Sequence, residues 1–436
     1  MQFNPLQLHA VDALHNFIRS PDEHFFLLTG KAGTGKTTVV VQFLEELSNY
    51  NIFLRKTGAR AKTYTVYMTA PTNKATAVLR SMEENFELPN INVEAMTTHS
   101  LLNLKLKNDY QTGKKHLMQS ETVYLAQGFE ESIVIVDEYS MVDDALLEYI
   151  VRDLGKCKII FLGDHKQIPS VSKATPNKVK DLVPESCFVN LSDVERQAKI
   201  TCPKTNELIP HPIHTTSLAF REAVTTKSFA GFATIPDYVE VVNGVQFQEL
   251  VSKYFIDAEE NLNNKVLAWR NDTVEEYNRY IAMEKYATTD PQKGQQYIVS
   301  TGGKLFTTEE TVSITEDFSP NTINTKKGIA LTEINHNDVW FIHDRAKYKE
   351  YTKQLARESK KNKSWADFFN FTDNVIDIRK PYAQTVHKSQ GSTYENVFID
   401  YNDIVACRDK DTVLRMLYVA VSRPTNKLYI YMSNLK

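Results

Sequence analysis

Short unbroken apolar runs alternate with stretches of helical spacing along the first half of the chain. Residues 25–29 (FFLLT) end at a glycine, and apolar positions from Val39 to Leu47 then recur at helical spacing. Residues 65–69 (TVYMT) precede a predicted helix from Asn73 to about Met82. Residues 133–136 (IVIV) run into Asp137-Glu138, and residues 158–162 (KIIFL) run into Gly163-Asp164. Continuous rather than alternating apolar strands, separated by helices, predict a parallel sheet covered on both faces. In such sheets ligands gather beyond the carboxyl ends of the strands. Each of these runs ends there in a polar or glycine-containing signature.

Two regions break this rhythm. Residues 101–128 are polar and basic, with Lys105, Lys107, Lys114 and Lys115 around Tyr110, and predict a small inserted hairpin. A second α/β stretch begins near Val189, includes residues 266–269 (VLAW), and resumes at 397–399 (VFI) and 428–431 (LYIY). Between its parts lies a segment rich in Thr, Asn and Gly with alternating strands, closing on a charged helical stretch over 345–363. The expected fold class is α/β with two parallel-sheet domains. The first takes 1–186 with 101–128 inserted, and the second takes 187–283 and 375–436. Residues 284–374 form a β-barrel-like insertion.

Composition narrows the partners. The 436 residues are 42% hydrophobic and 24% charged, the balance of a globular protein of several domains. A net charge of −3 gives no global pull toward nucleic acid, so such a partner must be held by basic residues gathered locally. Cys157, Cys187, Cys202 and Cys407 form no CxxC or Cys/His cluster, which predicts reduced thiols in a cytoplasmic setting and no structural zinc. No apolar run approaches the roughly 20 residues that span a bilayer, so no membrane partner is expected.

Residues 30–37 (GKAGTGKT) fit GxxxxGK(S/T). In that pattern glycines let backbone amides wrap phosphates, Lys36 neutralises the β and γ oxygens, and the Thr37 hydroxyl ligates Mg²⁺. The strand before and the helix after supply the required context, with the helix N-terminus adding partial positive charge. Asp137-Glu138 closes an apolar strand as a Walker B segment does: Asp137 to hold Mg²⁺, Glu138 to orient and deprotonate the attacking water. Gln167, in residues 163–169 (GDHKQIP), is a candidate γ-phosphate sensor. Arg196 and Arg423 are candidates for the positive charge that an anionic phosphoryl-transfer state needs.

The order of these segments resembles that of superfamily 1 helicases. Residues 3–7 (FNPLQ) resemble the Q motif, 30–37 motif I, 70–75 (APTNKA) motif Ia, and 97–100 (TTHS) motif Ib. Residues 137–141 (DEYSM) match motif II, 163–169 motif III, 385–391 (TVHKSQG) motif V, and 417–424 (LYVAVSRP) motif VI, with Arg196 where motif IV places its arginine. The forms of motifs II and V are similar to the RecD-like, 5′→3′ branch, and the compact length and residues 364–369 (SWADFF) to Dda-type phage helicases. Pro424 departs from the family pattern, since it lacks an amide donor and restricts Arg423.

The resemblance implies two RecA-like P-loop domains and an insertion of SH3-like type. It implies an ATP- and Mg²⁺-dependent DNA helicase, with phage replication or recombination as its setting. The nucleotide site would take in Gln7, Gly30, Ala32, Gly33, Thr34, Gly35, Lys36, Thr37, Thr38 and Gly391. Gln7 would read the adenine edge, and Arg196 and Arg423 would reach the γ-phosphate across a cleft. Pro71, Thr72, Asn73, His99, Ser100, Thr385, His387 and Lys388 would line the single-strand path, with Tyr110, Trp269 and Trp365 as candidate stacking surfaces. Implied partners are single-stranded and tailed or forked duplex DNA and single-strand-binding or replisome proteins, met by a monomer. Two other activities share these motifs: a translocase that strips proteins without unwinding, and a nucleotide-gated interaction module.

Overall fold

The computed structural model describes residues 3–31, 33–84, 86, 88–123, 125, 128–169, 178–192, 200–201, 208–229, 231–301, 310–314, 321–322, 330–333, 340–342 and 345–434. The first domain is a six-stranded sheet in the order β3-β2-β6-β7-β1-β8, parallel throughout. Its strands are β1 (Phe25–Gly30), β2 (Tyr64–Ala70), β3 (Ile91–Thr97), β6 (Ser132–Val136), β7 (Lys158–Gly163) and β8 (Phe188–Leu191). Both faces are apolar because both are covered. Phe26, Leu28, Val66, Met68, Ile133, Ile135, Ile160 and Leu162 pack under α1 (Pro5–Arg19), α2 (Lys36–Lys56) and α3 (Asn73–Glu83). Leu27, Tyr67, Val134, Val136, Ile159 and Phe161 pack on the other face with α4 (Thr98–Leu101), α5 (Asp144–Leu154) and α6 (Lys178–Asp181).

The second domain repeats the plan with the sheet β11-β21-β20-β12-β19, again parallel. Its strands are β11 (Val239–Val242), β12 (Asn264–Ala268), β19 (Ala383–Thr385), β20 (Tyr394–Asp400) and β21 (Pro424–Tyr431). One face, with Leu267, Val397, Ile399, Leu428 and Ile430, packs on α7 (Pro212–Thr226), α12 (Tyr401–Val405) and α13 (Lys410–Val421). The other, with Val266, Ala268, Phe398 and Tyr429, packs on α8 (Gly244–Val251) and α9 (Asn271–Tyr286). Two sheets of this kind are the RecA-like pair expected above. A two-stranded ribbon, β9 (Ile200–Thr201) and β10 (Leu208–Ile209), lies between the domains in sequence.

The third sheet has the order β14-β13-β18-β17-β16-β15. It consists of β13 (Gln296–Thr301), β14 (Thr311–Ser313), β15 (Asn321–Thr322), β16 (Ala330–Glu333), β17 (Trp340–Ile342) and β18 (Val375–Arg379). Only β17 and β18 run parallel, joined by a crossover through α10 (Arg345–Asn362) and α11 (Ala366–Thr372). Among the described residues the end strands β14 and β15 are not paired to each other.

Sheet membership corrects two expected boundaries. The second domain does not begin at 187: Leu27–Gly30 pair with Phe188–Leu191, so β8 completes the first sheet, where Val189 and Leu191 are buried. Nor does it resume at 375, because β18 bonds to β13 and β17 and buries Ile376 and Ile378 against Tyr297 and Val299 of the insertion.

The polar segment after motif Ib forms the hairpin β4 (Leu104–Asn108) and β5 (Lys115–Gln119), antiparallel in register Leu104↔Gln119 to Asn108↔Lys115. Its tip is fixed by Asp109, whose carboxylate accepts from Gln111 N at 2.8 Å and Thr112 N at 3.1 Å. The Thr112 hydroxyl, which also donates to this carboxylate, and these two backbone bonds hold the Asp109 carboxyl at about 2, below its usual range. The tip docks on the helices of the insertion. Trp365 N donates to Tyr110 O at 2.9 Å, and the Tyr110 ring meets Phe369 edge-on at 5.5 Å. Asn108 Nδ2 and Lys115 Nζ donate to Asp373 at 2.8 and 3.0 Å. Tyr110 and Trp365, expected as base-stacking surfaces, thus engage each other's elements here. No helix among the described residues is long and apolar enough to cross a membrane.

Candidate functional site

The first wall of the site is the loop between β1 and α2. Gly33 and Gly35 take φ of 81° and 78°, the left-handed region that suits glycine. Lys36 Nζ donates to the carbonyls of Gly30 at 2.9 Å and Lys31 at 3.0 Å, and buried Thr34 donates from Oγ1 to Lys31 O at 3.0 Å. Thr37 and Thr38 stand in the first turn of α2, whose N-cap Gly35 supplies no side-chain acceptor, so the amides of that turn face the loop. Gln7 is fixed from below. It closes a capping box with Asn4 at the start of α1, is 4% exposed, and donates from Nε2 to Thr34 O at 3.2 Å. Ala32 lies outside the described residues.

Asp137 and Glu138 follow β6. Asp137 N donates to Thr69 O at 2.8 Å, and the Asp137 carboxylate accepts from Glu138 N at 2.8 Å. Burial and the adjacent Glu138 carboxylate raise Asp137 above the usual carboxylate range, with Glu138 N–H and the Lys36 charge opposing. Glu138 has φ of 51°. Among the described residues its buried Oε2 has no hydrogen-bond partner, and neither has Oε1 of Gln167. An orphaned Glu138 oxygen beside the Asp137 carboxylate fits a divalent cation, and such a cation would remove the penalty on Asp137.

The second wall comes from the other domain. Gly391 has φ of 73°, and a Cβ built there would stand 3.8 Å from both Ala75 Cβ and Glu138 Oε1. The neighbouring Gln390 donates from Nε2 to Ile168 O at 2.9 Å. Lys74 Nζ donates to Tyr394 OH at 3.0 Å and lies over that ring. Arg423 is 2% exposed, and its guanidinium is turned into its own domain: Nε to Val419 O at 2.9 Å, Nη1 to Ser392 O at 3.0 Å, Nη2 to Ser422 Oγ at 2.9 Å. In this structure Arg423 shapes the 385–392 loop from behind. Arg196 lies outside the described residues.

A family profile described as an AAA domain matches residues 16–173, and one described as a UvrD-like helicase C-terminal domain matches 380–431. The chain is 23% identical to the ATP-dependent DNA helicase dda of Enterobacteria phage T4 over 92% of its length and 93% of that protein's. It is 22% identical to the RecBCD enzyme subunit RecD of Haemophilus influenzae, over 96% of this chain and 68% of the other. An uncharacterised protein of Acanthamoeba polyphaga mimivirus is 22% identical over 98% of this chain and 99% of that one. The chain thus carries an AAA domain and a UvrD-like helicase C-terminal domain, and is similar to DNA helicases over most of its length.

The segments expected to face a nucleic-acid strand lie on the carboxyl edges of both parallel sheets. Ala70 and Thr97 are register partners at the ends of β2 and β3, so residues 71–73 and 98–100 leave the sheet side by side. Thr72 caps α3, accepting from Ala75 N at 3.3 Å, and Asn73 opens that helix. Ser100 Oγ lies 2.7 Å from Thr97 Oγ1. On the second sheet Thr385 is the register partner of Ala268 and accepts from Lys388 N at 3.4 Å. Burial holds His99 and His387 below the usual imidazole range, with Asp143 opposing at His99, so both face their surroundings as neutral groups. Trp269 packs partly buried against the second core.

Sequence reasoning missed the residues that join the two domains beside Gln167. Asp164, fully buried, accepts from Arg221 Nε at 3.2 Å, Arg221 Nη2 at 3.3 Å and Tyr418 OH at 2.6 Å. Burial pushes this carboxyl up, but Arg221 and Tyr418 outweigh it and leave it below the usual range. Arg415 Nη1 donates to His165 O at 2.9 Å and Gln167 O at 3.0 Å. A faint signal was present: Arg415, Tyr418 and Ser422 share one face of α13 at helical spacing.

Gly35 offers a direct check on the first wall. A Cβ there would stand 2.6 Å from Gln7 Nε2 on a backbone at φ of 78°. Gly35→Ala is expected to weaken nucleotide binding by about tenfold or more, from about 1–2 kcal/mol of left-handed strain and the displaced Gln7. A fluorescent-nucleotide titration beside a thermal melt measures it. Unaltered affinity would mean that Gln7 does not help to set the loop.

Proposed function

We propose that the chain is an ATP- and Mg²⁺-dependent DNA helicase that moves 5′→3′ along a single strand and opens duplex ahead of it. The observation that carries this reading is the two-walled site. Lys36, Asp137 and Glu138 stand on one RecA-like sheet, and Gly391 of the other approaches Glu138 to contact distance. A nucleotide between such walls binds both domains, and its hydrolysis releases them, which turns a chemical cycle into relative movement. The names of the relatives, an ATP-dependent DNA helicase and RecD, support DNA as the track.

Within the cycle, the loop amides and Lys36 receive the β and γ phosphates, and Lys36 leaves the Gly30 and Lys31 carbonyls to do so. Thr37 and Asp137 would hold Mg²⁺, which would supply charge neutralisation at the phosphates. Glu138 orients the attacking water and takes its proton, with Gln167 facing the same water or the γ-phosphate. Gln7 receives the adenine edge. Arg196 and Arg423 bring positive charge from the second domain, Arg423 after leaving its carbonyl partners. Residues 71–73, 99–100, 385 and 387–388 grip the strand, and the hairpin β4-β5 splits the duplex.

A single chain supplies both walls, which supports action as a monomer. The unpaired thiols Cys157 and Cys187, both buried, support a reducing cytoplasm. A role in phage replication or recombination, alongside single-strand-binding or replisome proteins, rests on the Dda likeness.

A strand-displacement assay on 5′-tailed and 3′-tailed duplexes tests substrate, activity and direction together. ATP-dependent product from the 5′-tailed duplex is expected. Product from the 3′-tailed duplex alone would reverse the direction, and product from neither would remove unwinding from the reading.

A further inference from the structure

The loop that carries Gln167 leaves β7 of the first domain, yet its backbone is held by the second. Arg415 bridges two of its carbonyls, His165 O at 2.9 Å and Gln167 O at 3.0 Å. Gln390 holds a third, Ile168 O, at 2.9 Å. Lys166 Nζ reaches Thr225 Oγ1 of α7 at 2.7 Å. Asp164, at the root of the loop, receives Arg221 from α7 and Tyr418 from α13. Arg415 is itself braced, donating from Nε to Asp411 at 2.8 Å, while Asp411 also pairs with Lys227.

The position of α13 gives this network its meaning. Arg415 lies midway along that helix, and Arg423 follows its C-terminal cap, Ser422. Eight residues of helix span about 12 Å. One rigid element therefore touches the Gln167 loop near its middle and carries Arg423 at its end. The side chain of Gln167 is 4% exposed, its Oε1 has no partner among the described residues, and its backbone carbonyl hangs from Arg415.

We propose that Arg415 is a positioning residue for hydrolysis, hanging Gln167 on the same helix that carries Arg423, so that the two enter and leave the γ-phosphate site together. This rests on the ATPase reading of the site. Arg415 touches no phosphate in this scheme. It acts through two carbonyls, and Arg221 steadies the root of the loop from α7.

The test uses the full chain and four variants: Arg415→Met, Arg415→Lys, Gln167→Ala and Gln167→Ala/Arg415→Met. Arg415→Met is expected to lower kcat for ATP at saturating oligo(dT) by about tenfold or more, with KM for ATP and oligo(dT) affinity within about threefold. Arg415→Lys keeps the cation but bridges two carbonyls poorly, and is expected to fall between Met and wild type at an unchanged melting temperature. The double variant is expected to be no slower than Gln167→Ala, since both changes remove one function. A purely structural Arg415 predicts effects that multiply. Wild-type kcat in both Arg415 variants, or multiplying effects in the double variant, overturns the proposal alone. A wild-type chain that does not hydrolyse ATP overturns the enzyme reading and this proposal with it.

Discussion

Replacing Lys36 with alanine should cut DNA-stimulated ATP hydrolysis by about 10³-fold or more, the scale at which one cationic group acts on phosphoryl transfer. The Lys36 ammonium lies where its charge is felt by both Asp137 and Asp164. It now sits on the Gly30 and Lys31 carbonyls, 2.9 and 3.0 Å away, contacts that a phosphate oxygen readily replaces. Alanine leaves the loop fold intact, because the turn is set by Gly33, Gly35 and the buried Thr34. Binding of labelled oligo(dT), followed by anisotropy, should stay within about threefold, since neutralising phosphates of the strand falls to other residues. Near-normal turnover in a steady-state ATPase assay would sink the assignment of the loop.

The second large effect concerns strand opening. Exchanging residues 108–117 for a short turn should slow unwinding by about tenfold or more, equivalent to about 1.4 kcal/mol on that step. Single-strand-stimulated ATPase and translocation should remain within about twofold, because the hairpin shares no residue with either wall of the nucleotide site. The hairpin is held at both ends. Its base, Leu104, is buried in the same core as Val136 and Leu147, and its tip is hydrogen-bonded to Trp365 and Asp373 and packs on the Phe369 ring. A wedge must resist the force of the duplex pushed against it, and a free two-stranded ribbon would bend. Asp373→Ala, which loosens the tip while keeping the hairpin, should lie between the two. A gel assay of forked duplex beside a streptavidin-displacement assay separates the activities. Unwinding at the wild-type rate without 108–117 would leave strand separation to another element.

The parts of this molecule readable from its sequence are those encoded locally. The glycine-rich loop, the acidic pair after β6 and the unbroken apolar strands each carry their reason within a few residues. The strand ends carry the polar signatures expected there, with Asp137 after β6, Gln167 after β7 and Thr385 closing β19. What escaped depends on pairing over long separations. Residues 188–191 look like the start of something new, yet they complete the first sheet because β1 has an open edge beside them. Residues 375–379 precede a second-domain strand, yet bond to the insertion. Arg221, Tyr418 and Arg415 show their role only once the fold sets the first two on Asp164 and the third on the carbonyls of His165 and Gln167. Arg423 was legible as an important arginine but not in its present pose, turned inward on four protein groups.

The docked hairpin has a mechanical consequence. The first domain touches the insertion through Lys115 and Asp373, the insertion is continuous with the second domain at β18 and β19, and the second domain returns to the first at Asp164. The contacts form a closed linkage with no free end. In such a linkage neither domain swings alone, and closing one gap strains another. The joints differ in strength: Asp164 with Arg221 is buried, whereas Lys115 with Asp373 is half exposed and screened by salt. Raising ionic strength should therefore slacken this linkage at the hairpin first, far from the nucleotide.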